Sequence, residues 1–164
     1  MKHFLSFMAL NFVLLGCASE PPVEPPPPPT IVNLEIMASE NLNADSNGNG
    51  APVMMRIYEL SGSSNFNATD FFAMFNDDSA ALGADLERKQ DFLLRPGETK
   101  KLTIKPGDEV SALGFFAAFR QLDTARWRAI VPVQSHQTQS YTVKLIDNQL
   151  TVEMAQLQSV AQEP

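Results

Sequence analysis

From Ile31 onward the chain alternates apolar and polar positions with a period of two, and between Asn67 and Leu86 that period lapses. Val32, Leu34, Ile36 and Ala38 share one face of a first strand, with Asn33, Glu35 and Met37 opposite. Such alternation marks a half-buried strand. A polar loop, Asn41–Pro52, leads to a second strand whose inward row is Val53, Met55 and Ile57. Met54, Tyr58 and Leu60 make its other side apolar too, so that strand is expected to be covered on both faces. Turn residues Ser61 to Asn65 end it.

The next segment has helical spacing. Asn67 is placed to cap a helix with Asp70 in its first turn, where the macrodipole favours an acid. Phe71, Met74 and Phe75 then fall on one stripe at i, i+3, i+4. Asp78 is placed to cap a second short helix, Ser79–Leu82, that Gly83 ends. These helices are expected to cover the outer face of the Tyr58 strand.

Strand patterning resumes near Gln90. Phe92–Arg95 is a short strand, Pro96-Gly97 a turn, and Leu102 and Ile104 point inward from the next strand. Pro106-Gly107-Asp108 turns again. Leu113, Phe115, Ala117 and Phe119 alternate with Ala112, Gly114, Phe116 and Ala118, so that strand is apolar on both sides and belongs in the centre. Its return partner carries Trp127, Ala129, Val131 and Val133 inside and Arg126 and Arg128 outside. After a polar loop, Val133–Ser140, the residues Tyr141, Val143 and Leu145 pair with Leu150, Val152 and Met154 across a turn at Asp147-Asn148. Eight strands at short turn intervals predict an all-β, two-sheet sandwich with a short helical insertion at about residues 67–86.

The N-terminal pattern is different. Lys2 and a mostly apolar run, Phe4 to Gly16, precede Cys17, the one cysteine in 164 residues. The run is short of the roughly 20 residues a membrane span needs, and its layout is that of a secretory leader. Leu14-Leu15-Gly16-Cys17 reads as a lipobox: cleavage precedes Cys17, its thiol takes a diacylglycerol, and the new amine takes an acyl chain. No other cofactor is expected. Ala18 to Pro29 holds seven prolines, which favours an extended polyproline II arm reaching about 40 Å at ~3.1 Å per residue. By analogy with bacterial lipoproteins, Ala18 after the lipidated cysteine favours the outer membrane, with the domain facing the periplasm. The expected organisation is a leader at 1–16, lipidated Cys17 and tether at 17–29, the sandwich at 30–155, and a tail at 156–164.

Charge removes some functions. Loss of Lys2 with the leader leaves 11 Lys plus Arg against 19 Asp plus Glu, a net charge of −8. No basic stripe is available for nucleic acid. His136 is the one histidine after processing, and no Gly-x-Ser-x-Gly elbow supports a hydrolase. Asp45-Ser46-Asn47-Gly48-Asn49-Gly50 copies the start of a calcium loop, but Arg56 stands at the twelfth position, where a bidentate Glu is required. The residues read as a turn. Asp77-Asp78 reads as a helix cap and its neighbour, and Arg120 with Asp123 as an ion pair bracing a tight connection. No enzymatic site is expected. A lipid-anchored small-ligand or carbohydrate-binding sandwich is the alternative, and it requires an exposed aromatic platform; Trp127 is expected to face inward.

The segment Ala117-Ala118-Phe119-Arg120-Gln121-Leu122-Asp123-Thr124-Ala125-Arg126-Trp127-Arg128 resembles the Ala-x-Phe-Arg-x-Leu-Asp-x-Ala-x-Trp-Arg signature of the TssJ lipoproteins of the bacterial type VI secretion system. Arg56-Ile57-Tyr58, Asp70-Phe71-Phe72, Asp77-Asp78, Leu82-Gly83-Ala84-Asp85-Leu86 and Arg95-Pro96-Gly97-Glu98 are similar to further family motifs in the same order, from Leu42 to about Met154. The resemblance implies a transthyretin-like sandwich that docks the periplasmic C-terminal region of TssM within a TssJ–TssL–TssM membrane complex. It also implies that the first inter-strand loop makes the contact: Asn41, Leu42, Asn43, Ala44, Asp45, Ser46, Asn47, Gly48 and Asn49.

Overall fold

The computed structural model describes residues 25–155. The leader, Cys17, the first half of the tether and the tail at 156–164 lie outside the described residues. Eight strands form: β1 Ile31–Ala38, β2 Val53–Leu60, β3 Leu86–Leu94, β4 Thr99–Ile104, β5 Ala112–Ala117, β6 Arg128–Pro132, β7 Thr138–Ile146 and β8 Gln149–Met154. They make two four-stranded sheets, ordered β4-β1-β7-β8 and β3-β2-β5-β6. All neighbours are antiparallel except β1 and β7. The fold is the expected all-β sandwich.

The inward rows are those the alternation indicated. Val32, Leu34 and Ile36 of β1 and Val143 and Leu145 of β7 meet Val53, Met55, Ile57, Leu113 and Phe115 between the sheets. The β7–β8 register pairs Tyr141 with Met154, Val143 with Val152 and Leu145 with Leu150, as expected. β5 is buried along its whole length. β2 is covered on both sides: Tyr58 and Leu60 belong to a second apolar cluster with Phe66, Met74, Leu82 and Phe116 beneath the helices.

That helical layer starts earlier and is capped differently than the sequence suggested. α1 spans Ser64–Ala68, so Asn67 lies inside it and is no cap. α2 spans Phe71–Leu82, and Asp70 is its N-cap, accepting from the Ala73 N–H at 3.0 Å. A kink at Asp77 (φ −151°, ψ 73°) divides α2. Asp77, not Asp78, caps the second part through the Ala80 N–H at 3.0 Å. Asp78 is instead buried against β2 and β3, because there it meets Tyr58, Arg56 and Lys89. Gly83 ends the helix at positive φ. The Phe71, Met74 and Phe75 stripe divides: Met74 is buried and Phe71 half-buried, while Phe75 is 42% exposed.

Phe66 lies over Gly114. A Cβ there would sit 2.8 Å from the Phe66 ring, so only glycine leaves room for that contact. β3 begins at Leu86, well before Phe92. Its first half, Glu87-Arg88-Lys89, shows no apolar alternation because β3 is an edge strand. Trp127 is half-buried and stands edge-on to Phe71 (5.4 Å) and Phe116 (5.7 Å), next to the helical layer, not wholly in the inter-sheet core. Arg128 also does more than face outward. Its guanidinium donates to the carbonyls of Phe66 (2.9 Å) and Thr69 (2.6 Å), tying the end of α1 to β6.

Candidate functional site: a braced loop end

The chain leaves β1 at Ala38 and crosses to the other sheet through residues 39–52 before β2 begins. This β1–β2 connection shares one end of the sandwich with the β3–β4 turn, the β5–β6 connection and the β7–β8 turn. Hydrogen bonds join them. Ser39 N–H donates to the Leu145 carbonyl (2.9 Å), Gly97 N–H donates to the Ser39 carbonyl (3.2 Å), and Asn41 Nδ2 donates to Asp147 Oδ1. Gly50 packs against the Glu40 backbone so closely that a Cβ would lie 2.2 Å from its carbonyl oxygen.

Asn43 is the centre of the bracing. It is buried at positive φ (50°), a conformation asparagine tolerates. Its N–H donates to the Asp147 carbonyl (2.7 Å) and its Nδ2 to the Pro52 carbonyl (3.1 Å), while its Oδ1 accepts from the Arg120 N–H (2.8 Å). One side chain and its amide thus hold three connections. Leu42 is fully buried in the inter-sheet core. Leu42 and Asn43 therefore fix the loop from within, and its outward surface comes from Asn41, Ser46, Asn47, Gly48 and Asn49, with Ala44 and Asp45 half-buried.

The Asp45–Gly50 stretch is a turn closed on itself. Asp45 Oδ1 accepts from the N–H groups of Asn47 (2.8 Å) and Asn49 (3.0 Å), and the Gly48 N–H donates to the Asp45 carbonyl (3.0 Å). Those two backbone donors, Asn49 first, hold the carboxyl below its usual range. The carboxylate thus organises backbone, and among the described residues no group of three or more His, Cys, Asp or Glu side chains is gathered for a metal. Beside the turn lies an open cleft of about 290 Å³ lined by Asn43, Ala44, Asp45, Gln121, Thr124, Asp147 and Asn148.

The β5–β6 connection is braced by amides, where an Arg120–Asp123 ion pair was expected. Asn148 Nδ2 donates to Thr124 Oγ1 (2.7 Å), Gln149 Nε2 donates to the Thr124 carbonyl (2.8 Å), and Arg126 N–H donates to the Asn148 carbonyl (3.1 Å). Arg120 contributes its backbone N–H to Asn43, a contact that only the tertiary fold creates.

The opposite end receives the tether. Pro25–Pro29 are exposed, and the chain enters β1 where Thr30 is buried. Thr30 Oγ1 accepts from the His136 N–H (2.9 Å), and His136 Nδ1 lies 3.0 Å from the Pro28 carbonyl. His136 is therefore a structural contact to the incoming chain. Eight residues of β1 separate tether and loop, about 26 Å at ~3.3 Å per residue. Trp127 offers no flat platform for a sugar, because Phe71 and Phe116 flank it and the Arg128 guanidinium lies 4.7 Å from its ring.

Comparison with known proteins agrees with this architecture. The family model T6SS-SciN, described as type VI secretion lipoprotein, VasD, EvfM, TssJ, matches residues 30–154. The crystal structure of the type VI secretion lipoprotein TssJ1 from Pseudomonas aeruginosa is 34% identical (TM-score 0.76), covering 78% of this chain and 98% of that one. Lip from Serratia marcescens, a membrane-bound component of the type VI secretion system, is 24% identical (TM-score 0.71, 76% and 98% covered). A chain in the structure of the TssM C-terminal domain from EAEC is 22% identical (TM-score 0.64, 76% and 98% covered). The last two show the fold. A search of curated proteins finds no match.

Proposed function

We propose a mechanical role from one premise: this chain belongs to the TssJ family of type VI secretion lipoproteins. That family is structural, not enzymatic. In the role proposed here, diacylglycerol and an acyl chain on Cys17 hold the protein in the outer membrane. The domain projects into the periplasm, and the β1–β2 loop docks the C-terminal region of TssM within a complex that includes TssL. The sandwich couples two membranes by binding alone.

The observation that carries this reading is the polarity of the domain. The tether joins one end of β1, and an exposed loop, braced from beneath by Leu42 and Asn43, occupies the other. A braced loop loses less conformational freedom on binding than a free one. A chain of this fold is part of the TssM C-terminal domain structure, which makes that domain the partner to test first.

Asn47 is exposed, and the turn uses its backbone N–H, not its side chain. Asn47→Trp is therefore expected to leave the melting temperature unchanged and to weaken TssM binding in calorimetry by at least about tenfold, the effect of a bulky group in the middle of an interface. Full affinity in this variant rejects the loop as the contact. A Cys17→Ser chain whose residues 1–16 are replaced by a leader cleaved independently of that cysteine is expected to fractionate as soluble protein. Retention in the membrane pellet rejects the lipid anchor.

A further inference from the structure

Among the described residues, the helical layer carries an unpartnered surface on a different side from the loop end. Phe72 is 63% exposed and Phe75 42% exposed on α2, with half-buried Phe71 stacked on Phe75 (5.9 Å) and edge-on to Phe72 (5.4 Å). Next to this ridge, at the kink in α2, lies an open depression of about 490 Å³. Phe72, Ala73, Ala80 and Ala81 give it an apolar floor, and Asp70 and Asp77 stand in its wall. Each of these acids uses one oxygen, Oδ1, to cap the helix.

The segment that carries the ridge has charge of one sign, and among the described residues the one cation against its rings, Arg56 at 6.0 Å from the Phe75 centroid, comes from β2 beneath. From Ser61 to Glu87 there is no lysine, arginine or histidine and there are five carboxylates. The cations beneath the layer are already engaged. Arg56 and Lys89 bind Asp78, and Arg128 binds main-chain carbonyls. The outward field is therefore acidic, and it surrounds exposed aromatic rings.

We propose that this ridge and depression are a second docking surface, for a protein segment in which lysine or arginine flanks an aliphatic or aromatic side chain. The apolar side chain would lie against Phe72 and the alanines, and the cationic heads would meet Asp70 and Asp77, with the Phe72 ring face open to a guanidinium. Charge decides between occupants. A second copy would set one acidic rim against another, and anionic lipid headgroups would be repelled in the same way. A basic protein surface is attracted.

The test places the photoreactive residue p-benzoylphenylalanine at position 72 of the full lipidated chain in cells of its own source, with Leu93, an exposed apolar residue on β3, as the control position. The crosslinked peptide is then sequenced. The expected result is an adduct at position 72 and not at 93, formed with a different protein, on a peptide carrying lysine or arginine beside an apolar residue. Asp70→Asn with Asp77→Asn keeps both caps, since asparagine caps as well as aspartate, and is expected to lower the adduct yield about tenfold through lost steering. The proposal is overturned by no adduct, by an adduct to a second copy or to lipid, by a crosslinked peptide without basic residues, or by full yield in the double variant.

Discussion

The two sheets treat their outer faces in opposite ways. On the β4-β1-β7-β8 sheet the outward row is Asn33, Glu35, Thr103, Lys101, Ser140, Thr142 and Lys144, and no element among the described residues covers it. It balances its own charge through cross-strand pairs, Lys101 with Glu35 (3.2 Å) and Lys144 with Glu153 (2.8 Å). On the β3-β2-β5-β6 sheet the outward row includes Tyr58, Leu60 and Phe116, which water would penalise, so the chain inserts α1 and α2 above it. The difference shows that one fold can finish a sheet face either with hydroxyls and ion pairs or with a lid. The lid requires anchoring polar groups of its own.

Asp78 supplies the anchor. Its carboxylate accepts from Tyr58 Oη (3.0 Å) and from Lys89 Nζ (2.8 and 2.9 Å) and lies 3.1 Å from Arg56 Nη1, which also donates to the Met74 carbonyl (2.8 Å). Burial opposes ionisation of Asp78, but the bonds from Lys89 and Tyr58 and the charge of Arg56 outweigh it and hold the carboxyl below its usual range. Burial also pushes the Tyr58 hydroxyl far above its ordinary pKa, so that hydroxyl stays a donor.

Measurements can break or sharpen the contrast between the faces. The largest effect is expected at Phe66, fully buried between lid and sheet. Phe66→Ala should cost about 4 kcal/mol in chemical denaturation, and a loss below about 1 kcal/mol would mean that the lid packs loosely. Asp78→Ala should cost about 3 kcal/mol, since it strands Arg56 beneath the helix. Acid gives the same anchor a signature. The unfolded carboxyl has a pKa of 3.8 and the folded one a lower value, so the unfolded state takes up the proton first as pH falls. The stability from Asp78 is thus present above pH 3.8 and lost as pH drops through the folded value. Asp78→Asn should flatten that part of the stability curve, and an unchanged slope would discount the network. The smallest effect is expected on the bare face. Glu35→Ala removes an exposed pair and should cost less than about 0.5 kcal/mol. A cost matching that of Asp78 would erase the distinction.

The loop end was only partly legible in the sequence. Its position between two strands followed from the alternation, and its polar character from its residues, while its contact residues, Asn41 to Asn49, came as one set from the resemblance. The division of labour inside it did not. Asn43 looks like its neighbours Asn41 and Asn47 along the chain, yet it alone is buried and holds residues 52, 120 and 147. The calcium-like spacing of Asp45 was equally ambiguous until its oxygen was seen to close a turn.

Sequence by itself determined the inward faces of the strands that alternate, though not the start of the edge strand β3, because a residue's face in a strand depends only on its parity and its own solubility. It also determined that β2 and β5 would be covered on both sides, since apolar residues occupy both parities there. Tertiary structure alone decided which of two adjacent aspartates caps a helix and which binds Arg56 and Lys89. It also decided that Arg120 serves through its backbone and that the phenylalanines of α2 divide between burial and exposure. Those outcomes depend on groups tens of residues apart arriving at one place, and local pattern carries no record of such distances.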